Sequence, residues 1–203
     1  MARIAGVSAR EAGPYVRLAY FFTRRSLVKL AARETDNMIE PLEMYARLPG
    51  LLKGYAKLEQ ATAKLHRLPK RLHALAELKA ATLTQCEYCI DLGSQISRQW
   101  GLSDAELLAL PAYRTSSLFS DLDKLVLDLA VGMSRTPVDV PDRLFHDLRQ
   151  HLDDAQLLEL AHFIALENMR GRFNRALGVG SAGFSEGAVC AVPAGASSLE
   201  TVQ

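Results

Sequence analysis

Apolar side chains recur three and four residues apart along most of the chain, which is the spacing of amphipathic helices. The clearest stripe follows Ser120, where apolar residues keep to one helical face from Leu122 to Met133. No alternating run of apolar and polar residues is long enough to form a convincing strand. The pattern therefore predicts an all-α fold.

Breaks in this pattern fall at proline, glycine and helix-capping residues, and they divide the chain into successive helices. The first helix is predicted from Pro14, and the last long helix runs from Asp153 to Gly178. Between them, helices are predicted for 37–48, 50–66, 69–83, 86–100, 103–110 and 120–135, and from Pro141 onward.

The first helix combines an apolar packing face with a basic outer face. A basic amphipathic helix can lie on a membrane surface, but a basic helix face is more often simply solvated. We therefore interpret it as an N-terminal helix that packs on a neighbour. Its predicted packing face is Val16, Leu18, Ala19, Phe22 and Leu27, and that of the helix at 50–66 is Leu51, Leu52, Tyr55, Leu58 and Ala61.

The helix at 69–83 is apolar on most of its sides, which is typical of a helix buried among others. A single carboxylate, Glu77, stands within this apolar stretch. Buried carboxylates usually have a partner, so Glu77 is either a structural residue or an acid available to a nearby reaction. The apolar groups and alkyl stems that encircle the helix belong to Leu72, Leu75, Ala76, Leu78, Lys79 and Leu83.

The composition narrows the functional classes. A net charge of +1 argues against a general electrostatic grip on nucleic acid. Three cysteines are too few for a secreted disulfide framework, and a cytoplasmic location with thiol partners is expected instead. No apolar run is long enough for a membrane span. We expect one helical domain at 1–178 and a mobile Gly, Ala and Ser-rich tail at 179–203.

The segment with the most distinctive chemistry is 84–93, which contains Cys86 and Cys89. On a helix, residues three apart lie on the same side, so the two thiols can form a disulfide. The positive end of the helix dipole stabilises a thiolate and lowers its pKa from about 8.5 toward neutrality. One thiol can then attack a peroxide oxygen, and the other can condense with the resulting sulfenic acid.

Two other interpretations of the cysteine pair remain open. A zinc site needs four ligands, and the third cysteine, Cys190, lies in the predicted tail without a second CxxC or an HxxxH pair. Free cysteine is also among the most buried residue types, so the pair could be two small core residues. Redox chemistry is favoured over both, with no metal and no cofactor.

The residues around the pair resemble those of the carboxymuconolactone decarboxylase and alkylhydroperoxidase D family. The likeness is strong at 86–91 and softer at 101–106 and at 165–174, the last of which resembles a stretch of the longer members. It covers roughly 40–178. The resemblance implies an all-helical fold, assembly as dimers, trimers or hexamers, and, for the peroxidase members, reduction of alkyl hydroperoxides by thiols.

The resemblance also implies roles for the two thiols, with Cys89 as the attacking thiol and Cys86 as the resolving thiol. Two further positions of the peroxidase motif are not matched. The histidine four residues after the second cysteine is Gly93 here, and the glutamate twelve residues before the first cysteine is Ala74. Glu77, about one helical turn after Ala74, is the candidate for the missing acid.

Three further residues are weighed as supporting groups. Tyr88 could hydrogen-bond a thiolate or a peroxide, although a packing role is favoured. His162 is flanked by apolar residues and is either a core histidine or a proton donor. Asp91 is favoured as a first-turn charge that complements the helix dipole.

The sequence thus predicts an enzyme, a thiol-dependent peroxidase or disulfide oxidoreductase acting through Cys86 and Cys89. Its expected partners are a hydroperoxide or other small substrate, a thiol or dithiol reductant protein, and further copies of the chain. Two alternatives remain: a non-catalytic or redox-responsive oligomeric protein that keeps the fold, because Gly93 and Ala74 replace the relay groups, and a lactone decarboxylase.

Overall fold

A computed structural model describes residues 2–194 of the 203-residue chain. Within this range the chain forms nine α-helices and one 3₁₀ turn, and no strand, which confirms the predicted all-α fold. The helices are α1 (Pro14–Ala31), α2 (Glu40–Tyr45), α3 (Pro49–Thr62), α4 (Lys70–Thr84), α5 (Glu87–Gln99), α6 (Asp104–Ala109), α7 (Asp121–Ser134), α8 (Asp142–Arg149) and α9 (Asp154–Leu177).

Three helices begin with a capping box, in which the side chain before the helix and a side chain in its first turn exchange hydrogen bonds with the backbone. Ser103 begins α6 in this way, Ser120 begins α7 and Asp153 begins α9. Each such cap is worth about 1 kcal/mol. These starts follow from local sequence, and they agree with the predicted positions.

The central helix is α4, which packs against α5, α7 and α9. It buries residues on nearly every side, as its apolar pattern predicts. Leu75 and Leu78 join a core formed with α1, α2, α3, α5 and α6. Leu72 and Ala76 join a second core formed with α7, α8 and α9. Because Leu75 is fully buried, truncating it to alanine would cost about 2–5 kcal/mol.

α4 and α9 lie side by side and run in the same direction. Near the start of α4, the Leu68 N–H donates to Glu159 on α9. Further along, the ring of His73 stacks on Phe163 at 3.4 Å between centroids. At the end of α4, Thr84 lies against Gly171, where an added Cβ would fall 2.2 Å from the Thr84 hydroxyl oxygen. The glycine permits this close approach, which brings α9 alongside the segment that contains the cysteines.

The packing face predicted for α1 was wrong at two positions. Leu18 and Phe22 are 55% and 57% exposed, whereas Val16 is buried as predicted, together with Tyr20 and Ala31. α1 is apolar on several sides, so its pattern cannot tell which side meets a neighbour. The exposed Leu18, Phe21 and Phe22 form an apolar surface that association between copies would cover, and the homo-oligomer stays a prediction.

The prediction for α3 was also partly wrong. The helix ends at Thr62 rather than His66, and Leu51 is 51% exposed although it was placed on the packing face. Leu52 is fully buried, as predicted. α3 packs mainly on the short helix α2, so only a narrow part of its apolar surface is covered.

The chain after α9 returns to α5, although a mobile tail is predicted from residue 179. The carboxylate of Asp91 on α5 accepts hydrogen bonds from the Ser181 hydroxyl and from four consecutive backbone N–H groups at 182–185. Further on, the Ala191 N–H donates to the Ser94 hydroxyl at 3.0 Å. Residues 179–194 are therefore anchored beside the cysteine segment, and 195–203 lie outside the described residues.

Among the helices of the described range, none is both long enough and apolar enough to span a membrane.

Candidate functional site

The two cysteines lie at the junction of α4 and α5 and are joined by a disulfide bond. Gln85 ends α4 in the left-handed conformation, with φ of 53°, which turns the chain so that α5 begins two residues later. Cys86 is the N-cap of α5, and Cys89 lies in its first turn with a Cα–Cα separation of 5.2 Å. The pair therefore occupies the helix start that the sequence predicts.

The sulfur of Cys86 accepts the backbone hydrogen bond that a side-chain oxygen normally accepts at the start of a helix. The backbone N–H of Cys89 donates to Cys86 Sγ over 3.2 Å. A free N–H at a helix start and the positive end of the dipole both favour negative charge there. When the disulfide is reduced, Cys86 is therefore suited to hold its sulfur as a thiolate.

Asn174 on α9 is the polar side chain nearest to both sulfurs. Its amide Nδ2 lies 3.7 Å from Cys86 Sγ and 3.6 Å from Cys89 Sγ, within hydrogen-bond range for sulfur. Asn174 is only 3% exposed, so this amide is directed at the pair from inside the protein. Its role could not be predicted from the chain, because 85 residues separate Asn174 from Cys89; the one signal was its place at the end of the family-like stretch 165–174.

The exposure of the two cysteines differs. Cys86 is 1% exposed, whereas Cys89 is 8% exposed. A reagent from solvent thus reaches Cys89 more readily. Both values are low, which restricts direct access to small molecules.

Tyr88 is directed away from the sulfurs. Its hydroxyl donates to the Met38 carbonyl over 2.5 Å, and its ring meets Phe184 edge to face at 6.0 Å. Burial raises the pKa of Tyr88 above its ordinary value, so the phenol stays protonated. These contacts describe a packing residue.

His162 and Glu77 also have partners other than the thiols. His162 Nε2 lies 2.8 Å from the Thr62 hydroxyl. Glu77 is 3.0 Å from Arg170 Nη1 and 3.0 Å from His73 Nε2. Burial acts to raise the pKa of Glu77, but His73 and Arg170 together outweigh it and hold the pKa below its ordinary value. Glu77 is therefore a paired carboxylate.

The two unmatched motif positions are filled by small residues in apolar packing. A Cβ added at Gly93 would lie 3.3 Å from Leu78 Cδ1, so a side chain there would require the Leu78 side chain to shift by a few tenths of an ångström. Ala74 is 4% exposed and belongs to the same core as Leu78. Within the described range, no carboxylate or imidazole makes a hydrogen bond to either sulfur. The donors that reach them are the Asn174 amide and the Cys89 N–H.

A half-buried group of charges joins α3, α4 and α9, and we call it the Arg170 cluster. Arg170 binds Glu59 through two hydrogen bonds of 2.6 and 3.0 Å. It also pairs with Glu77 at 3.0 Å and with Glu167 at 3.3 Å. Three carboxylates thus share one guanidinium, with His73 at the edge.

Crowding among these carboxylates changes the charge of Glu167. Burial and the neighbouring carboxylates, Glu77 and Glu59, raise the pKa of Glu167 to about 8, although Arg170 opposes the shift. Its Oε1 is buried and has no hydrogen-bond partner in the described part of the chain. The group is therefore a neutral carboxylic acid at pH 7. Asn174 is seven residues further along α9 and on the same face, about 10 Å away along the axis.

The raised pKa of Glu167 predicts a fall in stability with rising pH. Between its ordinary value of 4.5 and about 8, the unfolded chain releases the proton while the folded protein keeps it. The contribution of Glu167 to the free energy of unfolding is fully present below pH 4.5. As the pH rises, it declines by up to about 1.4 kcal/mol per pH unit until Glu167 ionises in the folded protein as well. Glu167→Gln removes this titration, so its unfolding free energy should vary less than that of the wild type between pH 5 and pH 8, as urea unfolding would measure.

The matched control for this prediction is Glu186→Gln, because the Glu186 side chain is 80% exposed. That variant should keep the pH dependence of the wild type. Parallel curves for the wild type and Glu167→Gln across this range would show that Glu167 is ionised in the folded protein.

Within residues 2–194, no group of three or more His, Cys, Asp and Glu side chains is placed to hold a metal ion. The arrangement is instead suited to sulfur chemistry. It comprises two cysteines that can exchange between dithiol and disulfide, a more accessible sulfur at Cys89, and two N–H donors that favour a thiolate.

Comparisons with known proteins show a match to a family and to a relative of similar length. The model of the carboxymuconolactone decarboxylase family matches residues 49–130. An uncharacterised protein of Escherichia coli strain K12, YnjA, is 31% identical over 171 residues, which cover 81% of this chain and 88% of that protein.

Solved structures share the fold at lower identity. The debrominase Bmp8 superposes with a TM-score of 0.73 at 16% identity, over 89% of this chain and 92% of that one. A peroxidase-related protein of Ralstonia eutropha JMP134, described as an alkylhydroperoxidase AhpD core, gives a TM-score of 0.67 at 17% identity, over 87% and 90%. At this identity the likeness concerns the fold alone.

Proposed function

The chain belongs to the carboxymuconolactone decarboxylase family, and we propose that it is a thiol-dependent peroxidase that reduces small hydroperoxides through Cys89 and Cys86. The observation that carries the proposal is the cysteine pair at the start of α5, close enough for a disulfide and contacted from inside by the Asn174 amide. A structural pair of core cysteines would need neither the capping N–H nor the amide.

In the oxidising half of the proposed cycle, the Cys89 thiolate attacks one oxygen of the hydroperoxide. The O–O bond breaks, the alcohol leaves after taking up a proton, and Cys89 becomes a sulfenic acid. The Cys86 thiolate, which the Cys89 N–H stabilises, then attacks this sulfur, the hydroxyl group takes up a proton and leaves as water, and the disulfide forms. Cys89 is assigned the first step because it is the more exposed of the two.

In the reducing half, an external thiolate attacks Cys89 Sγ and displaces Cys86 as a thiolate. The Cys89 N–H and the Asn174 amide stabilise this leaving group. A second external thiol releases Cys89 and completes the exchange. A thiol or dithiol protein in the cytoplasm is the reductant we expect. The same half-reaction run alone would make the protein a disulfide oxidoreductase.

The choice of substrate rests on the site and not on the fold, because the same fold is found in a debrominase. The test is steady-state consumption of tert-butyl hydroperoxide with dithiothreitol as the reductant, alongside reduction of a small aromatic disulfide. Turnover of the peroxide supports the proposal. Turnover of the disulfide alone would assign an oxidoreductase, and no turnover of either would favour the non-catalytic alternative.

The proposal assigns Asn174 a direct effect on thiol reactivity. Asn174→Leu keeps the approximate volume but removes the N–H donor, and a hydrogen bond to a charged group is worth about 1.5–3 kcal/mol. We therefore expect peroxide turnover at pH 7 to fall roughly 10- to 100-fold. The pH midpoint for alkylation of the reduced protein by iodoacetamide should move upward.

The alkylation midpoint separates this effect from a loss of packing, which would not move it. Asn168→Leu is the matched control, since Asn168 is also on α9 but donates to Ser134 and to the Ile164 carbonyl. An unchanged midpoint in Asn174→Leu would remove Asn174 from the mechanism.

A further inference from the structure

A surface depression of about 530 Å³, largely open to solvent, lies beside the C-terminal ends of α4 and α9, next to the cysteine segment. Ligand sites for small molecules usually fall between about 300 and 1,000 Å³. No acidic residue is among those that line it within the described chain. We call it the arginine cleft, and it is lined by Arg3, Thr84, Arg172, Arg175, Ala176 and Gly178.

Hydrogen bonds and ion pairs within the protein use only some of the N–H donors of the three arginines. Arg3 donates to the Ala176 carbonyl over 3.0 Å, and Arg172 donates to the Ser134 carbonyl over 3.0 Å. Arg175 is 3.9 Å from Glu87, and its side chain is 56% exposed. Each guanidinium carries five N–H donors, so most of them remain available to a ligand.

The charge of the cleft remains positive after its surroundings are counted. The C-terminal ends of two helices contribute about half a negative charge each, and Glu87 contributes one more. Three guanidinium groups exceed this total by about one charge. Neutralising the helix ends therefore does not account for all three arginines.

The residues that line the cleft are close in sequence to the thiols and to Asn174 on both helices that form it. Thr84 is two residues before Cys86, a span of at most about 7 Å, and Arg175 directly follows Asn174. Since Cys86 and Cys89 are 1% and 8% exposed, a ligand that links the cleft to the sulfurs must be small. Guanidinium groups bind carboxylates through paired hydrogen bonds.

From these observations we propose that the arginine cleft binds the carboxylate of a small organic hydroperoxide and presents the hydroperoxide end to Cys89. This inference rests on the proposed peroxidase function. It goes further by assigning the substrate an acidic group and by assigning Arg175, with Arg172 and Arg3, to its recognition.

Binding is tested without turnover, in the Cys89→Ser protein. Hexanoate is titrated while the backbone amides of Ala176 and Gly178 are followed by NMR, with hexanol as the neutral probe and inorganic phosphate as a second anion. We expect hexanoate to shift these amides, hexanol to leave them in place, and Arg175→Gln to weaken hexanoate binding about 10-fold. The exposed Arg143→Gln on α8 is the control.

Two results would overturn the assignment. Hexanoate binding that is absent, or that Arg175→Gln does not weaken, means that the cleft does not recognise a carboxylate. Stronger binding of phosphate than of hexanoate would assign the cleft to phosphate compounds instead. Because these arms need no catalysis, they succeed or fail independently of the peroxidase assay.

The kinetic arm uses the active protein with two substrates. The ratio of kcat/KM for a short-chain hydroperoxy carboxylic acid to that for tert-butyl hydroperoxide should fall about 10-fold in Arg175→Gln and remain at the wild-type value in Arg143→Gln. An unchanged ratio in Arg175→Gln would contradict the inference even if both substrates are turned over.

Discussion

Cys89→Ser is expected to lower thiol-dependent peroxide turnover by roughly 10³-fold or more, because it removes the sulfur that attacks the peroxide oxygen. A serine hydroxyl is a far weaker nucleophile than a thiolate at pH 7, and the Asn174 amide cannot act as a nucleophile in its place. The measurement is initial-rate peroxide consumption at a fixed dithiothreitol concentration. A rate within a few-fold of the wild type would exclude Cys89 as the attacking thiol.

Two further cysteine variants make this result specific. Cys86→Ser keeps the attacking thiol but cannot form the disulfide, so one equivalent of peroxide should be consumed rapidly and a sulfenic acid should be trapped by dimedone. Cys190→Ser is the matched control, because Cys190 is a free cysteine in the segment after α9. It should leave the rate unchanged. If instead Cys86→Ser abolishes the first equivalent and Cys89→Ser retains it, the two roles are exchanged.

Arg170→Gln is expected to destabilise the fold by about 3–5 kcal/mol, because it leaves the Glu59 and Glu77 carboxylates and the Glu167 carboxyl group without their shared partner. For a chain of this length, that loss corresponds to a drop of roughly 6–20 °C in Tm. The loss should be smaller at pH 5 than at pH 8, since Arg170 helps to hold the pKa of Glu77 below its ordinary value, and Glu77 can take up a proton once the guanidinium is gone. Chemical denaturation at the two pH values provides the measurement.

The control is Arg143→Gln, whose side chain is 92% exposed and whose ion pair on α8 is 3.8 Å long. A surface change of this kind should alter stability by less than about 0.5 kcal/mol. An Arg170→Gln protein as stable as the Arg143→Gln protein would mean that the cluster is held by contacts other than the guanidinium. Its peroxide turnover, measured under conditions where it stays folded, would show whether the cluster also affects the thiols.

Helix positions were predictable because they depend on neighbouring residues. Prolines, capping residues and the spacing of apolar groups act within a turn or two, so the starts of α6, α7 and α9 could be read locally. The burial of α4 was also predictable, since apolar groups encircle it. The face of α1 was not, because Leu18 and Phe22 look like core residues until the position of its neighbour is known.

The family resemblance at 86–91 was likewise local, and the comparisons confirm it. The roles suggested for Glu77, Tyr88 and His162 depended on where their side chains point. In the structure, Glu77 pairs with Arg170 and His73. Tyr88 donates to the Met38 carbonyl, and His162 contacts the Thr62 hydroxyl. A residue's distance in sequence from Cys89 carries little information about such contacts.

By itself, the sequence determined the class of fold, the boundaries of most helices and the presence of a cysteine pair at a helix start. These depend on backbone hydrogen bonding and on the periodicity of apolar groups, which are short-range. The tertiary structure decided which groups surround the sulfurs. Gly171 lets α9 approach the end of α4, and this contact brings Asn174 to Cys86 and Cys89 and Arg175 to the cleft beside them. Side-chain chemistry at the site is therefore set by the packing of two helices far apart in sequence, which no local pattern encodes.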